Sequence, residues 1–296
     1  MALGPWITEA DKQAVMAVLN EGDLMSGKRV ALLEERLAAY FGKRHCVAVS
    51  SGTAALECAF VADARSRDAD VVVQPQGFIA LLSAIRGAGY YPVEAEAHGI
   101  GVATDVLGVD YKGNHRVHDC CHRFDKGAAH AEVSCFSFAP NKFIAACGGC
   151  LVTDDSVVAA TARQYRNHGR DGGPQIFREG RNLRMPEINA SLALSQLERI
   201  DEILARRKQV ARWYFEIFSE KNPVMNKDII DIMVNSRESW FLFAQVIPGH
   251  KHRSLADFRL FNTATQADKD TALLPIWPTM TREDVAAIVK ELPCKS

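Results

Sequence analysis

The sequence predicts an α/β fold: a large domain with a mostly parallel, seven-stranded type of central sheet flanked by helices, then a smaller α+β C-terminal lobe. Three observations carry that prediction. Short apolar runs recur through the first half of the chain, helical or turn segments separate them, and from Glu187 the pattern changes to long amphipathic helix. Short buried strands alternating with helices are the pattern of a sheet covered on both faces.

The first element reads as helix because Thr8 and Asp11 have capping-box spacing, and Val15, Val18 and Leu19 come at helical intervals before Gly22. A second amphipathic helix runs through Val30, Leu33, Leu37 and Phe41 to Gly42. The run CVAVS (46–50), the turn Ser51-Gly52-Thr53 and a helical stretch from Ala54 to about Ala64 give strand, tight turn, helix. VVVQ (71–74) precedes a helix to about Ala88, and further strands are expected at YYPVEA (90–95), VLGVD (106–110), HRVHD (115–119), VSCFSF (133–138) and CLVTD (150–154). One long helix is expected from Glu187 through Ile188, Leu192, Leu197, Ile200, Leu204, Trp213 and Phe218, ended by Pro223. Beyond it come a strand-like WFLFAQVI (240–247) and a final helix opened by Thr281 and Asp284. The expected division is 1–205 for the large domain and 206–296 for the lobe.

The chain has 296 residues, 35 Lys+Arg against 36 Asp+Glu, and 48% hydrophobic residues. Near-neutral charge argues against a nucleic-acid binder, and the apolar content excludes global disorder. No apolar run approaches the roughly 20 residues of a membrane span, and the start lacks a leader pattern. A cytosolic protein with reduced thiols is expected, since the eight cysteines sit mostly in apolar or small-residue segments. Cys147 and Cys150 have C-x-x-C spacing but lack the second pair a structural zinc site needs, so no metal is expected.

Three places carry candidate chemistry. Gly52 and Thr53 open a helix after a strand, where unpaired N–H groups and the positive helix end suit a phosphate; a plain structural turn is the alternative. Asp119 ends a strand at the sheet edge where α/β folds hold ligands, and could keep a ring nitrogen protonated or simply cap the next helix. Lys142 lies just beyond an apolar strand, where desolvation would free an amine nucleophile, unless it snorkels to the surface. Together these are the parts a pyridoxal-phosphate enzyme needs: a phosphate anchor, a partner for the pyridine nitrogen and a Schiff-base lysine.

With those residues in hand, the sequence resembles the DegT/DnrJ/StrS family of sugar aminotransferases, which have the aspartate-aminotransferase (type I) fold. The matching stretches include VSSGTAAL (49–56), HDCCH (118–122), FSFAPNK (136–142), GGCLVTDD (148–155) and GRNLRMPEINASLALSQLERID (180–201). The resemblance implies pyridoxal 5'-phosphate as cofactor, Lys142 as its Schiff-base and proton-shuttling residue, and Asp119 as partner of the pyridine nitrogen. It implies that Gly52 and Thr53 hold the phosphate with help from the Ser137 hydroxyl, that His122 lies near the phenolate oxygen, and that Phe78 stacks on the ring. Asn182 matches a residue that reaches the phosphate of the neighbouring subunit's cofactor, implying a homodimer with composite sites. His168 and Arg184 match recurrent positions without an assigned role. The implied reaction moves an amino group from an amino acid, L-glutamate by resemblance, to a keto-sugar carried on a nucleotide, in amino-sugar and polysaccharide biosynthesis.

Departures from the family pattern lie between Val93 and Asp119 and between about Phe243 and Leu273, both abbreviated. QPQGF, which ends at Phe78, is one residue short, and Cys147 replaces an acidic residue. They leave two further readings open: a shortened homologue that binds the cofactor in a regulatory role, and a sugar dehydratase. Against the dehydratase stands Lys142, because sugar dehydratases of this fold carry histidine there.

Overall fold

The computed structural model describes residues 4–25, 27–63, 71–73, 78–94, 100–104, 116–221, 242–246 and 271–291. The elements are α1 (Glu9–Glu21), α2 (Lys28–Phe41), β1 (His45–Val49), α3 (Gly52–Ala62), β2 (Val71–Val73), α4 (Ala80–Gly87), β3 (Pro92–Glu94), β4 (Ile100–Thr104), β5 (Val117–Asp119), β6 (Val133–Ser137), β7 (Gly149–Thr153), α5 (Ser156–Arg166), α6 (Glu187–Leu197), α7 (Ile200–Lys221), β8 (Leu242–Val246), β9 (Thr271–Pro275) and α8 (Arg282–Glu291). No helix among the described residues is long and apolar enough to cross a membrane.

The main sheet has seven strands in the order β1-β7-β6-β5-β4-β2-β3. Only β7 runs against its neighbours, β1 and β6; the other pairings are parallel. This is the expected mostly parallel sheet. Side chains alternate across it, so each strand feeds two cores. Val47 and Val49 of β1, Cys135 of β6 and Leu151 of β7 face the core built with Leu56 and Phe60 of α3 and Val158 of α5. Cys46, Ala48, Phe136 and Val152 face the other core, with Leu33, Leu37 and Phe41 of α2 and Ala193 and Leu197 of α6. Burial on both faces explains why the strands read as continuous apolar runs.

Helix ends match the sequence closely. Thr8 and Asp11 form the expected capping box on α1, which ends at Gly22 with φ 76°. Inside, Asp11 is fully buried and accepts hydrogen bonds from Ser195 at 2.7 Å and Arg199 at 2.6 Å, pinning α1 to the end of α6. Burial pushes the Asp11 carboxyl up, but its bonds to the Thr8 N–H, Ser195 and Arg199 outweigh that and leave it below its ordinary value. Gly27 caps α2 without a side chain. In its place the buried Glu187 carboxylate accepts the N–H groups of Gly27, Arg29 and Val30 at 2.8–2.9 Å.

The single helix expected from Glu187 is two helices, broken at Glu198 and Arg199. There the Arg199 N–H bonds back three residues to Gln196, a tighter turn than the α-helix, while its guanidinium is drawn to Asp11 and the Trp6 carbonyl. Strands β4 and β9 were not expected from the sequence. The expected strand VLGVD (106–110), Pro223 and most of the two abbreviated stretches lie outside the described residues. In the C-terminal lobe β8 and β9 pair antiparallel, and Val210, Ala211 and Tyr214 of α7 form a third core with Leu274, Ile276, Val285 and Val289.

Candidate active site

Strand ends gather the first group of residues. Val49, Asp119 and Ser137 are the last residues of β1, β5 and β6, all at the same sheet edge. Gly149, the first residue of antiparallel β7, pairs with both Val49 and Ser137. A Cβ on Gly149 would lie 2.6 Å from the Gly52 nitrogen and from the Ser51 carbonyl, so glycine lets β7 approach the start of α3 this closely. A Cβ on Gly52 would meet the Ser137 Cβ at 2.6 Å, its Oγ at 3.0 Å and the Cys121 Sγ at 3.1 Å. The α3 N-terminus, the Ser137 hydroxyl and the turn after Asp119 therefore converge.

Ser51 caps α3 by accepting the Ala54 N–H at 3.1 Å, while the N–H groups of Gly52 and Thr53, in the first turn, have no intrahelical acceptor. With the Ser137 hydroxyl beside them they form a cradle of phosphate chemistry. Asp119 is buried, and one of its oxygens accepts the Cys121 N–H at 3.0 Å. Lys142, partly buried, starts in the loop five residues beyond Ser137. The Cys121 thiol reports both charges: burial pushes it well up, the Asp119 carboxylate pushes the same way, and the Lys142 ammonium opposes them. These residues supply the donor set pyridoxal phosphate needs: N–H groups and a hydroxyl for the phosphate, a buried carboxylate for the pyridine nitrogen and an amine on the next loop.

The other expected site residues are more scattered. His122 is buried in the turn after β5. Phe78, 44% exposed, precedes α4, and residues 74–77 before it lie outside the described part. Asn182 is exposed at the base of a hairpin, bridged to Asn167. Arg184 donates to the side-chain oxygens of Asn182 at 3.0 Å and Asn167 at 3.2 Å, and its backbone bridges to Val49. His168 takes a left-handed conformation, φ 56°, at the neck of the same hairpin. The hairpin base thus borders the start of the phosphate turn. Cys147 is exposed while Cys150 is buried within β7, so the two thiols face different surroundings.

A family model of DegT/DnrJ/EryC1/StrS aminotransferases matches residues 5–110 and 95–258, most of the chain. The chain belongs to that family. Among curated relatives, the UDP-4-amino-4,6-dideoxy-N-acetyl-beta-L-altrosamine transaminase of Helicobacter pylori is 28% identical over 74% of this chain and 69% of its own. The dTDP-3-amino-3,6-dideoxy-alpha-D-galactopyranose transaminase of Aneurinibacillus thermoaerophilus is 24% identical over 94% of this chain and 93% of its own. Of solved structures, the PseC aminotransferase of Helicobacter pylori superposes with a TM-score of 0.78 at 23% identity, covering 98% of this chain and 97% of its own. A candidate sugar aminotransferase of Streptococcus pneumoniae in its PLP form superposes with a TM-score of 0.79 at 19% identity, covering the same shares. These likenesses give the type I fold expected from the sequence.

Within this aminotransferase the structure adds residues that sequence reasoning passed over. Arg207, in the first half of α7, is 1% exposed and donates to the carbonyls of Lys142 at 2.9 Å, Asn141 at 3.2 Å and Ile276 at 2.9 Å. Its guanidinium lies over the Phe143 ring, 4.9 Å from the centroid, and burial lowers its pKa to about 9. Gln196 accepts the Ala145 N–H at 2.7 Å and donates to its carbonyl at 3.2 Å. Asn189 donates to the carbonyls of Ala146 at 2.8 Å and Cys147 at 2.9 Å. The only local signal was a polar residue on an otherwise apolar helical stretch, which more often marks a solvated face.

Proposed function

We propose that this family member uses pyridoxal phosphate to transfer an amino group from an amino acid, L-glutamate by resemblance, to a keto-sugar linked to a nucleotide. The observation that carries the reading is the convergence of Gly52, Ser137 and the turn after Asp119, with Lys142 on the next loop. The named relatives, transaminases of UDP- and dTDP-linked sugars, support the substrate class.

When bound, pyridoxal phosphate supplies an electrophilic aldehyde and a ring that accepts electrons. This chain's residues do the rest. The N–H groups of Gly52 and Thr53 and the Ser137 hydroxyl hold the phosphate and fix the ring's register. Asp119, buried and negative, keeps a proton on the pyridine nitrogen by a charge-assisted hydrogen bond. By the resemblance, His122 would lie toward the phenolate oxygen and Phe78 would stack on the ring. The Lys142 amine would be the group that holds the cofactor's aldehyde end, and, once free, would serve as the base that takes the proton from the amino donor's α carbon.

A cytosolic homodimer with composite sites is part of the same proposal, with Asn182 on its exposed hairpin reaching the partner's phosphate. So is a boundary near residue 205, supported by the change of core between Ile200 and Val210.

The test is spectroscopic. Purified protein given pyridoxal phosphate should attach it covalently, and glutamate should convert it to the pyridoxamine form. Lys142→Ala should lose the attachment; absence of both changes in the native protein would sink the reading. With a keto-sugar nucleotide, an amino sugar identifies a transaminase and a deoxygenated keto-sugar a dehydratase. Cofactor binding without conversion by any common amino donor would favour a regulatory role.

A further inference from the structure

The loop from Ala139 to Gly148 joins β6 to β7 and carries Lys142, yet it has neither helix nor strand to satisfy its backbone. Within the loop, Lys142 N–H reaches the Ala139 carbonyl, and the N–H groups of Ala146 and Cys147 share the Phe138 carbonyl. Among the described residues, the carbonyls of Asn141, Lys142, Ala145, Ala146 and Cys147 accept from three side chains, Arg207, Gln196 and Asn189. Asn189 and Gln196 are seven residues apart, two turns of α6, and so share one face. Arg207 reaches the same loop from α7, beyond the Glu198–Arg199 break.

We infer that Asn189, Gln196 and Arg207 are positioning residues of the transamination, a clamp that sets where the Lys142 amine stands over the cofactor. The inference rests on the proposed role of Lys142.

Three features give the clamp that role over plain loop support. It grips the main chain at Lys142 itself and at its preceding residue, so the side chain leaves from a fixed Cα. On the other side, Phe143 is buried in the aromatic cluster of the second core, 6.2 Å from the Phe124 ring, with the Arg207 guanidinium on its face. Finally, Arg207 uses its second Nη on the Ile276 carbonyl of the C-terminal lobe. One planar cation thereby ties the lobe to the lysine. A lysine at 207 has a single nitrogen and lacks the fork that spans both carbonyls.

The test compares wild type with Arg207→Lys, Arg207→Met, Gln196→Leu and Asn189→Ala in four measurements. These are amide hydrogen exchange of 139–147 without cofactor, the rate of covalent attachment of pyridoxal phosphate to Lys142, the kcat and KM for the amino donor, and Tm. Misplacing a reacting group by about 1 Å costs on the order of a hundredfold. The expected result for both Arg207 variants is a kcat about ten- to a hundredfold lower, a donor KM within about threefold of wild type, slower attachment, and faster exchange of 142–147. Gln196→Leu and Asn189→Ala should show the same pattern more weakly.

Lower Tm with attachment rate, kcat and loop exchange all at wild-type values, measured well below Tm, overturns the inference and leaves a structural role. So does full rescue by Arg207→Lys. If the Arg207 variants do not fold, the Gln196 and Asn189 variants decide on the same readouts. Failure of wild type to attach pyridoxal phosphate at Lys142 would instead remove the proposed function, and the inference with it, a result distinct from any variant effect.

Discussion

Gly52 and Ser137 meet because two stretches of backbone pack to the limit of contact, whereas Lys142 is held by side chains that reach its loop from 42 to 66 residues further along the chain. The first part, the floor, is set by two glycines: an added Cβ would meet backbone of Ser51 and Gly52 at position 149, and side-chain atoms of Ser137 and Cys121 at position 52. The second, the clamp, is made of hydrogen bonds from an amide, another amide and a guanidinium, each able to lengthen or swing. A phosphate subsite gains from rigidity, because the anion is held in one place throughout. An amine that must attach, detach and carry a proton gains from a mount that is fixed at the main chain and free at the tip. The floor should break most sharply where a filled position meets backbone, and the clamp should weaken in steps.

Gly149→Ala is the largest expected break. The new Cβ collides at 2.6 Å with backbone of Ser51 and Gly52, neither of which can rotate away. Overpacking against main chain costs about 3 kcal/mol or more, enough to lower the urea midpoint sharply and to abolish cofactor uptake together. Unchanged stability with normal uptake would mean that β7 and α3 are not held this close.

Next is Asp11→Asn, which attacks the clamp at its base. Asp11 ties α1 to Ser195 and Arg199 at the end of α6, the helix that carries Asn189 and Gln196. Removing the charge leaves Arg199, whose side chain is 16% exposed, without its carboxylate, at a cost of about 3 kcal/mol. The pH dependence has a definite sign. The folded carboxyl lies below its ordinary value of 3.8, so the stability it contributes is present above that pH and is lost as pH falls through the lower, folded value. Wild type and variant should differ by a constant amount from about pH 5 to 8, and the difference should shrink as pH falls below 3.8 in equilibrium unfolding. A difference that grows on acidification would refute the assignment.

Gly52→Ala should be milder, about 2 kcal/mol, because the obstacle is the Ser137 Cβ rather than a peptide unit. Its signature is functional. The added methyl shifts the α3 N-terminus from the Ser137 hydroxyl, so pyridoxal-phosphate affinity should fall about tenfold or more in a fluorescence titration while the fold persists. Equal affinity would separate the α3 turn from phosphate binding.

The same contrast governs what could be read from the sequence. Helix caps, the two-sided strands and part of the floor were legible, because Ser51-Gly52-Thr53 and Asp119 each stand at the junction of a strand and the turn after it, whereas Ser137 was reached only through the family resemblance. The clamp was not. Gln196 and Asn189 sit on a helix where polar residues ordinarily face water, and nothing local says that a loop some 50 residues earlier needs their hydrogen bonds. The helix break at Glu198 was hidden for a related reason: apolar spacing continues through it, while its cause is Arg199 reaching back to Asp11 and Trp6. Strand β4 escaped because IGVAT has glycine and alanine at two of its five positions, which weakens any strand signal.

Thr281→Ala is the smallest expected effect and asks whether lobe and clamp unfold as one. Thr281 and Asp284 exchange hydrogen bonds at 2.9 and 3.2 Å in a capping box at the exposed start of α8. Losing the cap costs about 1 kcal/mol. Val285 and Val289 of α8 share a core with Val210 and Tyr214 of α7, but the two points through which the lobe meets the clamp, Arg207 and Ile276, lie on α7 and just beyond β9. Fraying of α8 removes neither. Amide exchange in Thr281→Ala should therefore rise along 282–291 and stay at wild-type rates along 139–147, with kcat unchanged. A parallel rise in both segments would mean that the lobe's stability is transmitted whole through Arg207, and that the grip on Lys142 is only as strong as the packing of the last helix.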